Sequence, residues 1–264
     1  MSGGLVRTFS AHEFGAPRLV AAKRGRVVSV CIPARDEATT VGAIVSTIRR
    51  ALPDLVDEVV VVDDGSTDAT GAVAAAAGAT VVGRSGEGKG QAMRAALAAC
   101  AGDVVAFVDA DLRQFTPAFV LGLLGPLLLH DDVTLVKAHY QRPLDGRPGE
   151  GGRVTELVAK PLLALLFPEL AAIRQPLGGE YAGRRCVLER CRFDDGYGVD
   201  VGLLIDVAER HGVQSIAQVD LGTRLHRNRP LAELVPQAHQ VMEAVLDRAG
   251  VDREGRSAVY RRLA

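Results

Sequence analysis

The amino-acid sequence predicts an α/β fold, a mostly parallel sheet with helices on both faces. Short apolar runs at Val27–Ile32, Glu58–Asp63, Thr80–Val82, Val104–Asp109 and Val133–Val136 alternate with segments of helical pattern. Strands buried on both faces read this way. Each of the first four runs also leads into polar or Gly-rich sequence, and ligands of such sheets bind beyond the strands' carboxyl ends. Finally, 264 residues, 48% hydrophobic and 24% charged, suffice for one large domain with its own core.

Taken in order, residues 1–25 lack periodicity and are expected to form an irregular arm. Helices are expected from Ala38 to about Ala51, after Asp68, from about Gln91 to Ala101, and from about Pro117. The second half is less regular. Residues 142–153 are rich in Gly, Pro and charge and read as a loop. Thr155–Phe167 is an apolar helix that Pro161 should kink or break. Gly178-Gly179 and Gly196-Tyr197-Gly198 mark tight turns, and Val199–His211 and Leu231–Leu246 are amphipathic helices. One domain is expected over 26–250, with a tail at 251–264 and no internal repeat.

Bulk properties exclude several classes. A net charge of -1 gives no global basic field to recruit nucleic acid. Aromatic content of 4% without Trp gives no stacking platform for single strands. The longest apolar stretch, Ala118–Leu129, is broken by Gly and Pro and falls short of the roughly 20 residues of a membrane span. No stable membrane insertion and no secretory signal are expected. Cys31, Cys100, Cys186 and Cys191 show neither CxxC nor zinc-finger spacing, so reduced thiols in a cytoplasmic protein are expected.

Four motifs carry chemistry. Asp109-Ala110-Asp111 ends a buried strand, where alternate carboxylates can converge on one Mg²⁺ or Mn²⁺. The competing reading makes them caps of the next helix. Asp63-Asp64-Gly65-Ser66-Thr67-Asp68 reads as a capped turn, but capping leaves the adjacent Asp63 and Asp64 unexplained. A carboxylate there could accept from a uracil ring nitrogen. Gly86-Glu87-Gly88-Lys89-Gly90 fits neither a P-loop, which needs Ser or Thr after its Lys, nor a dinucleotide fingerprint. A helix start with Lys89 beside it still attracts phosphate, whereas a flexible turn with a solvated Lys is the plain alternative. His226, in Leu225-His226-Arg227-Asn228, could complete a metal site, although a lone His is more often structural.

Together these motifs resemble GT-A glycosyltransferases, whose Rossmann-like sheet would end in an irregular acceptor-binding portion. Longer matches narrow the resemblance to the glucosyl-3-phosphoglycerate synthases. These are Gly88-Lys89-Gly90, Val108–Leu112, Arg142-Pro143, Gly151–Leu157, Gln175–Ala182, Gly196-Tyr197-Gly198 and His226–Leu234, in that order over roughly Val27 to Arg248. The resemblance implies retaining transfer of glucose from UDP-glucose to 3-phosphoglycerate. It assigns nucleotide-sugar binding to residues 26–137 and acceptor binding to 138–250. The substrates would be small molecules, and a homodimer is expected.

Carried over by motif, Pro33, Ala34 and Glu37 would line the uridine pocket, with Asp64 at the base. Asp109 and Ala110 would meet the donor, and Lys89 would approach its ribose or phosphates. Asp109, Asp111 and His226 would hold Mg²⁺ or Mn²⁺. Gly152, Arg153, Thr155, His226 and Asn228 would bind acceptor, and Asp200 would face the donor sugar. Asp111, Asp200 and Lys89 would act in catalysis. If a covalent intermediate formed, Asp200 or Glu180 would be its nucleophile; same-face attack is the favoured route. This chain departs from those synthases in placing Asp at 64 where Ser is frequent, Arg35-Asp36 where an apolar-Asn pair is typical, and Asp200 where Glu is usual. Rival readings are a GDP-mannose-dependent mannosyl-3-phosphoglycerate synthase, a polyprenyl-phosphate sugar transferase, a nucleotide-binding oxidoreductase and a non-catalytic nucleotide-sugar-binding module.

Overall fold

The structure, a computed structural model, describes residues 6–84, 88–141, 152–223 and 230–251. β2 (Val28–Ala34), β3 (Glu58–Asp64), β4 (Thr80–Arg84) and β5 (Val104–Phe107) run parallel, with β2 between β3 and β5. The intervening helices are α2 (Val41–Ala51), α3 (Thr70–Ala76) and α4 (Lys89–Ala99). Each strand is continuously apolar because both faces are covered. Val59, Val60, Val61 and Val62 are all fully buried; the odd-numbered pair joins one core and the even-numbered pair the other.

Beyond β5 the order departs from a simple parallel sheet. α5 (Pro117–Leu129) leads to β6 (Leu135–Gln141), and β7 (Tyr181–Arg184) inserts between β5 and β6, antiparallel to both. β8 (Ile216–Thr223) lies parallel to β6 on its far side. The sheet thus contains eight strands among the described residues. The apolar stretch 118–129 is α5, a core helix buried on most of its surface. No helix among the described residues is long and apolar enough to cross a membrane.

The expectation of an irregular arm at 1–25 is corrected by the structure over residues 6–25. β1 (Arg7–Ser10) forms the sheet edge beside β8, Arg7 opposite Ala217. α1 (Ala16–Lys23) follows, with Leu19 fully buried. Ser10 and Glu13 form a capping box between them. Elements this short show no periodicity, and β1 depends on a partner at the other end of the chain.

Pro161 acts as expected. Thr155–Ala159 is a π-helical turn and α6 (Lys160–Leu166) begins beyond it, because Pro161 has no N–H to continue the ladder. α7 (Arg185–Leu188), α8 (Val199–His211) and α9 (Leu231–Arg248) complete the chain, α9 packing against α8. The tail at 252–264 lies outside the described residues.

Candidate active site

Parallel pairing brings the carboxyl ends of β2, β3 and β5 to one edge, where a cavity of about 500 Å³ opens. At the tip of β3 the two adjacent carboxylates divide their work. Asp63 accepts the Ser66 N–H at 3.0 Å and closes the turn that Gly65 makes at φ 76°. Asp64 is nearly buried, lines the cavity, and accepts the Gly88 N–H at 3.0 Å. The pair that capping alone left unexplained is therefore one turn residue and one cavity residue.

Ser66 and Asp68 reach across to the rim after β2. Ser66 Oγ accepts the Asp36 N–H at 3.0 Å, and Asp68 accepts the Ala38 N–H at 3.1 Å. Asp36 accepts in return from the Thr67 N–H at 2.7 Å, holding a positive φ of 54°. This lattice fixes the edge where Pro33, Ala34 and Glu37 line the cavity.

Asp109, Ala110 and Asp111 leave the end of β5 and line the same cavity. α5 starts only at Pro117, so neither carboxylate caps it. The carboxylate of Asp109 rests on Gly179, where a Cβ would stand 2.2 Å from Oδ1. Burial raises the pKa of Glu37, a hydrogen bond from Thr40 opposes this, and Asp111, Asp68 and Asp109 raise it further. Carboxylates facing one cavity with mutually unfavourable fields call for a cation, and their hard oxygens suit Mg²⁺ or Mn²⁺. Among the described residues no three His, Cys, Asp or Glu side chains converge as a metal cluster. His226, the expected third ligand, lies outside the described residues.

Lys89 opens α4 and is not a solvated loop lysine. Its ammonium lies 3.0 Å from Asp200 Oδ2 and 3.4 Å from Asp109 Oδ1. Burial opposes its charge, yet Asp109 and Asp200 hold its pKa above the ordinary lysine value. Two helix-start amides are already taken, Gly88 N–H by Asp64 and Gly90 N–H by the Asp195 carbonyl, so attraction for phosphate rests chiefly on the Lys89 charge. Asp200, on α8, is 4% exposed at its side chain, and its Oδ1 has no hydrogen-bond partner among the described residues. Glu180 is fully buried and accepts the Tyr140 hydroxyl at 2.7 Å.

The sequence left one wall unnoticed. Asp195, Gly196, Tyr197 and Gln240 also line the cavity. Gln240 Oε1, from α9, accepts the Tyr197 N–H at 2.9 Å, and a Cβ at Gly196 would meet the Gln240 side chain. Behind this wall Arg248 binds Asp194 at 2.7 Å and Asp206 at 2.6 Å. The glycines at 196 and 198 were the one available signal, legible as a turn but not as a binding wall.

The expected acceptor residues are only partly visible. Gly152, with φ 79°, Arg153 and buried Thr155 enter the π-helical turn. None is among the residues that line the cavity around Asp109. Asn228, expected beside them with His226, lies outside the described residues.

Comparison with known proteins matches this arrangement. The family model described as glycosyl transferase family 2 matches residues 29–168. A glucosyl-3-phosphoglycerate synthase of Mycolicibacterium smegmatis is 53% identical over 94% of this chain and 88% of its own length. One from Petrotoga mobilis is 43% identical over 84% and 73%. The Mycobacterium tuberculosis synthase, solved with Mn²⁺, UDP-glucose and phosphoglyceric acid, superposes with TM-score 0.87 at 45% identity, covering 96% of this chain and 90% of that one. The same enzyme has been solved with Mn²⁺, UDP and glucosyl-3-phosphoglycerate. This chain belongs to glycosyl transferase family 2 and, within it, to the glucosyl-3-phosphoglycerate synthase family.

Proposed function

We propose that the chain is a metal-dependent, retaining glucosyltransferase that moves glucose from UDP-glucose to 3-phosphoglycerate, giving glucosyl-3-phosphoglycerate. The observation that carries this reading is the convergence of Asp64, Lys89, Asp109 and Asp111 on one cavity at the carboxyl edge of the sheet. A donor of this class needs a base pocket, a cation for its phosphates and a metal-facing carboxylate pair, and those residues supply all three.

In this reading residues 26–137 bind the nucleotide sugar and 138–250 bind acceptor. Pro33, Ala34, Glu37 and Asp64 hold the uridine. Asp109 and Asp111 hold Mg²⁺ or Mn²⁺, joined by His226. The bound cation neutralises negative charge on the departing diphosphate. Lys89 adds positive charge at the same place. Asp200, whose Oδ1 has no hydrogen-bond partner among the described residues, accepts from a donor-sugar hydroxyl. Gly152, Arg153, Thr155 and Asn228 bind the acceptor.

The enzyme acts in the cytoplasm as a homodimer. Supporting the dimer, Leu157 and Leu165 on the α6 side and Leu231 and Val235 on α9 are each more than 60% exposed, on elements that pack together. Sedimentation at micromolar concentration tests this; a monomer refutes it.

The function is tested by an activity matrix of nucleotide-sugar donors against phosphorylated and unphosphorylated acids, with and without EDTA. The expected product forms from UDP-glucose and 3-phosphoglycerate, and only with metal. Turnover with GDP-mannose alone would move the chain to mannosyl transfer.

A further inference from the structure

Lys137 lies in mid-strand on β6, opposite Tyr181 of β7 and Gln218 of β8. It is 2% exposed. Its ammonium sits 4.6 Å from the centre of the Tyr181 ring and donates to the Gly178 carbonyl. No carboxylate among the described residues lies within salt-bridge distance of it. Burial pulls its pKa down to about 8, Asp200, Glu180 and Asp109 draw it up, and Lys89 opposes them. An ammonium here costs the fold free energy, which an apolar side chain of similar length would avoid. Its use lies in what it holds.

What it holds leads to the site. β6 fastens the segment 178–180 three times: Lys137 Nζ to the Gly178 carbonyl, the Ala138 N–H to the Glu180 carbonyl at 3.0 Å, and the Tyr140 hydroxyl to the Glu180 carboxylate at 2.7 Å. The Lys137 bond secures the carbonyl immediately before Gly179. Gly179 is where the Asp109 carboxylate rests, so close that a Cβ at 179 would collide with Oδ1 at 2.2 Å. A shift of this turn by a few tenths of an ångström would move the seat of Asp109.

We infer that Lys137 is a positioning residue of the donor site: it pins the Gly178–Gly179 turn that seats Asp109. The inference rests on the donor-site reading above. Groups that orient metal-binding side chains cost about 10- to 100-fold in metal affinity when removed.

Lys137→Met and Lys137→Gln test this, by calorimetry of Mn²⁺ binding in the presence of UDP, by KM for each substrate, and by thermal melting. Lys137→Met is expected to weaken Mn²⁺ binding and raise the donor KM, each by about tenfold or more. The acceptor KM should stay within about twofold, and Tm should not fall, because a buried charge has been removed. Lys137→Gln keeps a donor for the Gly178 carbonyl and should recover part of the loss. Wild-type Mn²⁺ affinity and donor KM in Lys137→Met would overturn the inference. So would a fall in kcat with both affinities unchanged, or failure of both variants to fold, which would assign Lys137 to the core. Absence of Mn²⁺-dependent UDP binding in the wild type would instead overturn the donor-site reading itself.

Discussion

Gly179 and Asp109 fit together so closely that a side chain at 179 would displace the carboxylate: a Cβ there would lie 2.2 Å from Oδ1 and 2.5 Å from Oδ2 of Asp109. Both residues are fixed from behind, Gly179 by the turn that β6 secures and Asp109 by the end of β5. The carboxylate would therefore have to yield. Gly179→Ala is expected to fold, because the atoms it meets end a side chain, and to lower kcat/KM for the donor by about 100-fold by moving the carboxylate proposed to hold the metal roughly 1 Å. Steady-state kinetics checks this; unchanged donor kinetics would refute the fit.

Lys89 is held between Asp109 and Asp200, 3.4 and 3.0 Å away. Lys89→Met leaves both carboxylates without that counter-charge in a largely buried place. Breaking a buried pair in this way costs about 3–5 kcal/mol, read by urea unfolding at pH 7. The pKa of Lys89 is raised in the fold, so its contribution is fully present below the ordinary lysine value of 10.5 and is lost as pH rises above it. The stability gap between wild type and Lys89→Met should therefore be constant between pH 7 and 9 and narrow only in more alkaline solution. A gap that closed between pH 7 and 9 would contradict the raised pKa.

Asp111 is exposed and lines the cavity. Asp111→Asn is expected to keep the wild-type melting temperature and to lose activity by about 1,000-fold or more, the scale of several kcal/mol of charge stabilisation that a metal supplies. EDTA should do the same to the wild type, reversibly on adding Mn²⁺. Full activity after exhaustive metal removal would eliminate the metal-binding role of Asp109 and Asp111.

The legible parts of the molecule are those whose signal is local. Val59 to Val62 announce a strand covered on both faces within four residues. Asp109-Ala110-Asp111 announces its chemistry because strand and turn are contiguous. β1 and β7 are different: each is four residues long, and each exists because distant strands offer it an edge or a slot. The wall at 195–197 was hidden for the same reason. Its hydrogen-bond partner, Gln240, sits on an amphipathic helix whose pattern announces only that one face is buried. Asp63 and Asp64 read as a pair, and only the turn geometry showed that Ser66 takes one of them.

Arg248 ties that wall to the core. Its guanidinium, 5% exposed, bridges Asp194 at 2.7 Å and Asp206 at 2.6 Å, and Gly202 leaves room for the guanidinium and the Asp194 carboxylate. Arg248→Met takes the cation from Asp206 and leaves Asp194 with Arg192 alone, at 3.0 Å, and should destabilise by about 3–5 kcal/mol. Because Asp194 precedes the cavity residues Asp195, Gly196 and Tyr197, the donor KM should rise in the same variant while the acceptor KM stays unchanged. Equal rises in both would show that the wall serves the whole enzyme and not the donor pocket.

The acceptor site makes the last prediction. With a net charge of -1, the protein cannot draw a phosphorylated acid by its global field, so the attraction must be local. Gly152 adopts φ 79°, which L-residues with side chains rarely tolerate, and it turns the chain directly into the helical segment that begins at Arg153. A guanidinium at the start of that segment can present a planar fork to phosphate. Thr155 is buried two residues on, which anchors the backbone behind the arginine. Arg153→Ala removes one charge-assisted contact, worth about 1.5–3 kcal/mol, or roughly 10- to 150-fold. The loss should fall on the KM for 3-phosphoglycerate, with UDP binding and the donor KM within about twofold of wild type. In the wild type, unphosphorylated glycerate should be a poor acceptor, and Arg153→Ala should narrow its disadvantage, since the phosphate would then have lost its partner. If Arg153→Ala kept the wild-type acceptor KM, or if glycerate served the wild type as well as its phosphate ester, the phosphate would have to be bound elsewhere.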